Sequence, residues 1–499
     1  MKRRDFILKA SAVAGVAAAY AAPRANAQAP AGPETAAPKT TPPDRPPEPN
    51  LGPQKRASTV YASQAGARLD SSVLSGGGTD DTTAIQAILD QAPKLGNLHL
   101  IVDGAALVRG LDVYANTTIE CPNPSCGFFL ADQANRAILR NAHPSKGEII
   151  DRNISVLGGT YNNNRAKQLH HREDKSPVTA IEFFGIEQLL LRDVVIRDQR
   201  TYCTFVSNWR HVQMEHIDIQ LSDREHAENT DGLHFCGPGQ FLCLRDIQGC
   251  TYDDFIALNA DDGHSVYDDK GNLYNNGEQG PYVSFGPITD VLIDGVVLDG
   301  AAQGIRFLSR KSRIDRVVVR NMVGSYRSFG CFMDPFWEKG GNYGNIVFDT
   351  IDLRSMEPNY TYLPPFLFAL GGSHERFTVR NLQNLQPHDN RKLIWVEKDA
   401  KIKSLSVDGL DIEADKKLDD PAYLLVEGEV DLLTLRNANL AHNGAEEPNG
   451  CLLAVGGKEP RGHIKHLQIQ NITARHVKDI VRQQRGDIDR FDTVNVVAY

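Results

Sequence analysis

Short strand-like runs of apolar residues recur at similar intervals along most of the chain. Several share one pattern, an apolar alternation followed by Asp or Asn and then a second short apolar run, as in 291–298 and 377–382. The runs begin at Ile154, Leu189, Val212, Leu242, Val291, Val317, Ile346, Phe377, Leu405, Leu433 and Leu467. Repetition at such intervals is typical of a solenoid, in which each repeat forms one coil that stacks on its neighbours. Because the repeats resemble strands rather than helices, we predict an all-β fold, a right-handed parallel β-helix.

One segment has helical periodicity instead. Thr79 and Asp80 can cap a helix, the apolar positions of 84–92 fall on one face, and Pro93 is expected to stop it. We expect this helix, 80–92, to cover the open N-terminal end of the solenoid, where unpaired strand edges would otherwise promote aggregation. A β-propeller is the alternative fold, but its blades need about 40 residues and four strands each.

The first 56 residues are not expected to belong to the folded domain. Arg3 and Arg4 precede a small-residue apolar run, and Ala25-Asn26-Ala27 supplies a cleavage pattern, so 1–27 resemble a twin-arginine-type signal peptide. An ordinary secretory leader is the alternative. Residues 28–56 are rich in proline and poor in large apolar side chains, which predicts a disordered linker. A single catalytic β-helix domain, 57–499, would then lie in the periplasm or outside a bacterial cell.

Charge and composition limit the partners of this domain. The chain has 54 Lys and Arg against 63 Asp and Glu, a formal net charge of −9, which argues against a nucleic-acid partner. Beyond the predicted leader, no segment offers the roughly 18 consecutive apolar residues of a membrane span. None of the eight cysteines forms a C-x-x-C pair, so a structural zinc site is not expected. Cys121 and Cys126 could close a local disulfide, and the others could equally be buried thiols. The oligomeric state stays open.

Acidic residues stand on two consecutive predicted repeats. Asp231, in Asn229-Thr230-Asp231-Gly232, enters one strand, and the Asp253-Asp254 pair enters the next. Neighbouring strands lie about 4.8 Å apart, so the three carboxylates should share a face of the β-helix. Carboxylates this close cannot all ionise without cost, and one should keep its proton while the others stay charged. This division suits glycoside hydrolysis, although Asn and Asp are also common turn residues.

At these positions the sequence resembles glycoside hydrolase family 28, the polygalacturonases and their relatives. Asn229–Gly232 is similar to the N-T-D-G block of that family, and Tyr252–Asn259 is similar to its G-D-D-C-I-A-I-N block. Gly304-Ile305-Arg306 resembles the start of its R-I-K block. The resemblance implies that Asp253 is the general acid, that Asp231 and Asp254 orient and deprotonate water, and that the anomeric carbon is inverted. It also implies that Arg306 binds substrate on the same face.

The sequence departs from that family at two positions. The G-H-G block is not found, since His264 lies too close to the Asp pair to match it, and Leu308 replaces the R-I-K lysine. In the family these two side chains help to contact the uronate carboxylate. The resemblance therefore implies hydrolysis more strongly than it implies galacturonan as the substrate.

Further polar residues near these motifs are candidate sugar ligands. We expect Asn229, His234, Asp262 and His264 to contact substrate together with Arg306, with a structural role as the open alternative for His234. The acidic loop 261–269 could bind calcium, but a solvated surface loop is the alternative, and no other cofactor is expected. Trp337 and Tyr161 could stack on sugars, or they could belong to aromatic stacks of the solenoid.

Taken together, these features predict an exported glycoside hydrolase that acts on a polysaccharide or oligosaccharide, pectin-like or another acidic, plant or microbial glycan. A polysaccharide lyase or an epimerase acting on a uronate-containing glycan is one alternative, since Arg306 and the acidic loop could serve such chemistry. A non-catalytic carbohydrate-binding β-helix is the other.

Overall fold

The structure is a computed structural model. It describes residues 57–499 with ten gaps, at 224–229, 262–264, 268–272, 276–278, 335–339, 359–364, 386–391, 416–419, 445 and 458–460. The predicted signal peptide and linker lie outside the described residues. No helix of the described part is long and apolar enough to cross a membrane.

The described chain is built almost entirely of strands. Two α-helices, α1 (Thr82–Leu89) and α2 (Ala92–Leu95), and two short 3-10 helices, Ser63–Ala65 and Arg165–Lys167, occur near its start. The strands are β1 (Ser58–Tyr61), β2 (Leu98–Ile101), β3 (Ala105–Val108), β4 (Leu111–Val113), β5 (Thr117–Glu120), β6 (Gly127–Leu130), β7 (Leu139–Asn141), β8 (Asp151–Leu157), β9 (Thr160–Asn162), β10 (Ile181–Arg192), β11 (Val195–Arg197), β12 (Tyr202–Gln220), β13 (Asp231–Gly249), β14 (Asp254–Asn259), β15 (Ser265–Tyr267), β16 (Leu273–Asn275), β17 (Ile288–Leu308), β18 (Ile314–Met333), β19 (Asn342–Ser355), β20 (Phe366–Leu370), β21 (Ser373–Leu385), β22 (Lys392–Val396), β23 (Lys401–Ala414), β24 (Ala422–Val426), β25 (Glu429–His442), β26 (Asn449–Val455), β27 (His463–Arg475), β28 (Val477–Gln483) and β29 (Asp487–Ala498).

The strands form a right-handed parallel β-helix, as the sequence predicted. Twenty-seven of them belong to one continuous sheet in which strands pair in parallel with those of the neighbouring coils. The first residues of the eleven predicted runs, from Ile154 to Leu467, are direct partners in a single unbroken register. Their side chains are buried in one core that runs the length of the solenoid. Stacking of like residues at the same coil position therefore creates the core.

The Asp, Asn or Gly that follows most of the runs has a structural reason. At this point the chain turns between two faces of the solenoid through a residue of positive φ, such as Asp246, Gly295, Asn381 and Asn437. Short polar side chains and glycine tolerate this left-handed conformation. The side chains also bond along the stack, as when Asn437 Nδ2 donates to Asp408 Oδ1 at 2.7 Å.

The predicted N-terminal helix is present but is not continuous. It divides at Asp90 and Gln91 into α1 and α2, and Ile85, Ile88 and Leu89 of α1 are buried in the core. Pro93 lies inside α2 rather than ending the helix, because a proline is tolerated in the first turn, where its missing N–H has no partner to lose. The prediction that Pro93 stops a single helix was therefore wrong.

Cysteine and aromatic packing settle two alternatives that the sequence left open. All eight cysteines lie in the described part, and none forms a disulfide; Cys121 and Cys126 are both buried thiols. Tyr161 is fully buried, packs against Phe128 and lies 3.8 Å from the Cys121 sulfur, so it belongs to the core and cannot stack on a sugar.

Candidate active site

Two neighbouring strands begin with an aspartate at the same level of the solenoid. Asp231 is the first residue of β13 and Asp254 the first of β14, and Leu233 pairs with Ile256 two residues further along. The first residues of the two strands are therefore placed side by side. Asp253 immediately precedes β14. The strand register thus brings together residues that are more than twenty positions apart in sequence.

The three carboxylates form one compact cluster. One oxygen from each of Asp231, Asp253 and Asp254 lies within 4.8 Å of the other two. Asp231 and Asp254 are buried, whereas Asp253 is partly exposed. Asp253 is therefore the least buried member of the cluster. Three carboxylate oxygens at this separation could also bind a divalent cation.

Backbone packing fixes this geometry and explains the small residues of the motif. A Cβ on Gly232 would overlap the carbonyl oxygen of Phe255 on the next coil, so only glycine fits beside Asp231. Thr230 Oγ1 accepts a hydrogen bond from the Tyr252 amide at 3.2 Å, and Thr251 Oγ1 donates to the Asp253 carbonyl oxygen at 2.8 Å. These contacts tie together the two chain segments that carry the acids.

The carboxylates influence the protonation of one another. Burial, and then the negative charge of Asp231, raises the pKa of Asp253 well above its usual range, while the positive charge of Arg306 opposes the shift. Burial also raises the pKa of Asp231. The two groups therefore share protons at a pH at which an exposed aspartate would be ionised.

His234 supports the buried side of the cluster. Its Nδ1 is hydrogen-bonded to Asp231 Oδ2 at 2.7 Å, and both side chains are nearly inaccessible to solvent. The imidazole stacks on the Tyr202 ring with a centroid distance of 4.7 Å and meets the edge of Phe205. His234, predicted as a sugar ligand, therefore contacts a carboxylate of the cluster and holds its orientation.

Arg306 lies on the other side of the cluster. It pairs with Ala257 across β14 and β17, one coil beyond the acids, and is 3 % exposed. The guanidinium carbon lies 3.7 Å from the centre of the Phe332 ring, and Nη2 donates to the Asp334 carbonyl oxygen at 2.7 Å. Arg306 is thus a fixed positive charge close enough to lower the pKa of Asp253. Leu308, in place of the family's lysine, pairs with Asn259 and is 6 % exposed.

Several predicted residues cannot be placed. Asn229, Asp262, His264 and Trp337 lie outside the described residues. Of the acidic loop 261–269, Asp261 is described and is fully buried. Its carboxylate accepts the backbone N–H groups of Arg310, Lys311 and Ser312 at 2.6, 2.9 and 2.8 Å. Asp261 is therefore a structural anchor rather than a free calcium ligand.

Two further residues beside the cluster were not predicted from the sequence. Gln303 pairs with Asp254 on the next coil, and Tyr202 pairs with Asp231 on the preceding one. Position in the strand register is the one signal that could have found them.

A second acidic group lies further along the solenoid. It consists of Asp334, Glu397 and Glu427. Trp395 Nε1 donates to Glu427 Oε2 at 2.8 Å. Burial, and then the negative charge of Asp334, raises the pKa of Glu397 to about 8. Arg306 acts in the opposite direction on Glu397, so its charge influences both acidic groups.

Comparisons with known proteins agree with this architecture. No protein-family model matches the chain. Over 257 residues, 46% of the chain, it is 24% identical to a polygalacturonase of Persea americana, and the match spans about half of that protein, 52%. The structure is similar to a family 28 exopolygalacturonase of Yersinia enterocolitica, with a TM-score of 0.50, 12% identity, and coverage of 77% of this chain and 76% of the other.

The fold is that of the family 28 polygalacturonases. A fold of this kind does not by itself identify an activity. The N-terminal fragment of bacteriophage Phi29 gene product 12 is also similar, with a TM-score of 0.52, 14% identity, and coverage of 88% of this chain and 71% of the other. An activity of this protein would therefore have to be inferred from the acidic cluster rather than from the fold.

Proposed function

We propose that the protein is a glycoside hydrolase that cleaves a polysaccharide or oligosaccharide by acid and base catalysis. The observation that carries the proposal is the cluster of Asp231, Asp253 and Asp254, in which one oxygen from each carboxyl lies within 4.8 Å of the other two and Asp253 is the least buried residue. Such a cluster supplies a proton donor and a proton acceptor at one place, as hydrolysis of a glycosidic bond requires.

In the proposed reaction Asp253 gives its proton to the glycosidic oxygen as the bond between this oxygen and the anomeric carbon breaks. A water held by Asp231 and Asp254 attacks the anomeric carbon, and its proton passes to one of these carboxylates. The raised pKa of Asp253 supports the role of acid, because the group keeps its proton at a pH at which an exposed aspartate would be ionised. His234 fixes Asp231 for its part in the reaction.

The resemblance to family 28 supports inversion at the anomeric carbon. Inverting enzymes usually have carboxyl groups roughly 6.5–9.5 Å apart, which leaves room for the water, and retaining enzymes about 5–5.5 Å. The closest oxygens of this cluster lie within 4.8 Å, so inversion requires that the water lies beside the three carboxylates rather than between two of them. The anomer that forms first therefore tests the mechanism directly.

A polysaccharide lyase or epimerase is the second candidate. It is favoured by the positive charge of Arg306 beside Asp253, since a uronate carboxylate would be drawn to this place. Against it, the Arg306 guanidinium is stacked on Phe332 and bound to the Asp334 carbonyl oxygen, and therefore is not placed to abstract a proton.

As the N-terminal sequence predicts, we place the activity outside the cytoplasm.

A panel of neutral and uronate-containing polysaccharides, assayed at mildly acidic and neutral pH, tests the proposal. We expect new reducing ends without the absorbance of unsaturated uronates, and NMR of the earliest product should show the inverted anomer. Unsaturated products would identify a lyase, and the retained anomer would contradict the proposed role of water. The absence of any reaction across the panel, with glycan binding preserved, would identify a non-catalytic carbohydrate-binding protein.

Replacing Arg306 should change the pH profile as well as the rate. In Arg306→Met the positive charge that stabilises ionised Asp253 is lost, so the pKa of Asp253 rises further and the acid stays protonated to higher pH. We expect the alkaline limb of kcat/KM against pH to move upward by up to about one unit, with a lower maximum.

Two variants serve as controls for that profile. Arg306→Lys keeps the charge and should leave the alkaline limb near its original position. Arg316→Met removes an exposed arginine that pairs with Asp290 on the surface, and should change neither limb nor rate. A limb that stays in place in Arg306→Met would show that Asp253 is not the acid that this limb reports.

A further inference from the structure

The N-terminal end of the solenoid is covered. Helix α1 contacts β2 and β4, and its residues Ile85, Ile88 and Leu89 are buried in the core. The side-chain amide of Gln86 also bonds to the backbone of β4, since Nε2 donates to the Asp112 carbonyl oxygen at 3.1 Å and Oε1 accepts from the Asp112 amide at 2.8 Å. Apolar side chains and hydrogen bonds therefore both close this end.

The opposite end is formed by residues 477–499, which we call the terminal coil. Its two strands pair on one side only, β28 with β26 and β29 with β27. In the part of the chain that the structure describes, no strand pairs with their other side. The twelve-residue β29 is therefore an edge strand, and the backbone of an edge strand is a template for pairing with another chain.

The apolar core is open at the terminal coil. Phe491 is 49 % exposed, whereas Leu467, its partner on the preceding coil, is fully buried. Val481, Ile488 and Val496 pack against the core but are likewise only partly buried. Apolar surface that is left in water at the end of a core indicates a site of interaction with another molecule.

The outward surface of β29 is also more apolar than that of the coils before it. Val494 and Val497 of this strand are exposed, as is Tyr499. The same two positions are polar on the three preceding coils, with Asp408, Arg436 and Gln470 before Val494, and Asp411, Asn439 and Thr473 before Val497. The apolar surface of the terminal coil therefore extends from the open core to its rim.

The charges of the terminal coil suit a second copy of the same chain. Four cationic side chains stand against four anionic ones, Lys478, Arg482, Arg485 and Arg490 against Asp479, Asp487, Asp489 and Asp492. The whole chain has a formal net charge of −9, so two copies repel each other in general, but this balanced end adds no repulsion at a contact. A strongly charged partner such as a nucleic acid finds no complementary surface here.

Strand β29 is complementary to itself in one register. Identical strands that meet through the same edge are related by a two-fold axis and run antiparallel. With Phe491 on the axis, Arg490 of each copy lies opposite Asp492 of the other, and opposite charges across a strand pair stabilise it. Arg490 and Asp492 also form an ion pair of 2.8 Å within the chain, and both side chains are exposed. A register with Asp492 on the axis would bring like charges together instead.

We propose that the terminal coil binds the terminal coil of a second copy, so that the protein is a two-fold dimer joined end to end through β29. The interface combines antiparallel backbone pairing, contact between the two open cores around Phe491, and ion pairs between Arg490 of one copy and Asp492 of the other. The acids at Asp231 and Asp254 lie several coils away. The dimer therefore does not depend on the proposed hydrolase function.

The mass of the unmodified protein in solution tests the proposal first. Light scattering after size-exclusion chromatography, over a series of concentrations, should give twice the mass of one chain. Hydrogen exchange should show greater protection of the β29 amides at concentrations that favour the dimer. The mass of a single chain at every concentration, or open-ended growth into larger assemblies, would overturn the proposal.

Phe491→Arg tests the centre of the interface. On the axis it places two like charges against each other and removes the aromatic contact, so the Kd of the dimer should rise by about tenfold or more. Because Phe491 is half exposed, we expect the fold to be kept, which circular dichroism would check. Val323→Arg, at an exposed valine of β18, is the matched control and should stay dimeric. A folded Phe491→Arg variant that dimerises as tightly as the original protein would show that the copies meet elsewhere.

Two charge-reversal variants test the register. Arg490→Asp and Asp492→Arg each break the ion pair within the chain and bring like charges together between copies, so each alone should dissociate at concentrations at which the original protein is dimeric. An equal mixture of the two places opposite charges at both positions of a mixed dimer, which should therefore form.

This recovery cannot come from within one chain, because neither variant regains its internal ion pair in the mixture. Failure of the mixture to dimerise, with both variants folded, would overturn the proposed pairing. If a variant failed to fold, the mass and hydrogen exchange of the unmodified protein would still decide whether the terminal coils meet.

Discussion

Asp253→Asn is expected to lower kcat by roughly 10³-fold, within the range that a positioned general acid contributes, while the fold is preserved. Asn has nearly the same shape as Asp but has no acidic proton to give to the leaving oxygen. Turnover would be measured by reducing ends on the best polysaccharide of the panel, and the fold by circular dichroism and thermal unfolding.

The stability of the Asp253→Asn variant shows whether its activity is lost through catalysis or through unfolding. The pKa of Asp253 is higher in the folded chain than in the unfolded one. The stability linked to this group is therefore present below the unfolded pKa and is lost as the pH rises through the folded pKa. Asn cannot ionise, so the variant does not lose this stability as the pH rises. Its free energy of unfolding at pH 7 should therefore be at least that of the original protein.

Asp246→Asn is the matched control for Asp253→Asn. Asp246 is an exposed turn residue of β13 with positive φ, a conformation that Asn also adopts readily. The change should leave kcat within about twofold, since surface substitutions of this kind rarely disturb a distant site. Full activity of Asp253→Asn would remove Asp253 from the mechanism and with it the proposed reaction.

Asp261→Ala is expected to lower the free energy of unfolding by about 3 kcal/mol or more. Asp261 is fully buried, and its carboxylate accepts three backbone N–H groups, from Arg310, Lys311 and Ser312. Each buried donor left without an acceptor costs about 1–3 kcal/mol. The turn held in this way directly follows β17, the strand that carries Arg306, so activity should fall along with stability.

Denaturant unfolding would measure this effect, with two further variants for comparison. Asp261→Asn keeps an oxygen acceptor and should lose less stability than Asp261→Ala. Asp408→Ala removes a partly exposed aspartate of β23 that accepts one hydrogen bond from Asn437, and should cost less than about 1 kcal/mol. If Asp261→Ala cost no more than Asp408→Ala, water or a rearranged turn would be satisfying the three amides.

The sequence predicted the solenoid because apolar residues recur at the same position of each repeat. A parallel coil places the same position of each repeat in one column, so residues such as Val291 and Val317 had to be apolar and recur in step. The same rule brought Asp231 and Asp254 together, since both begin strands of adjacent coils. The Pro93 error was also local, because proline is permitted in a first helical turn as well as after a last one.

Sequence alone therefore determined the β-helix, the stacking of its core and the position of the three aspartates, all of which follow from periodicity. The tertiary structure decided what surrounds them: that Asp261 anchors the turn after β17, and that segments 170–179 and 279–286 meet and pack over the outer side of β10 and β12. These features join segments such as 170–179 and 279–286, about a hundred residues apart and outside the repeats. No period relates such segments, so their contacts depend on loop lengths and on side-chain packing that exist only once the chain is folded.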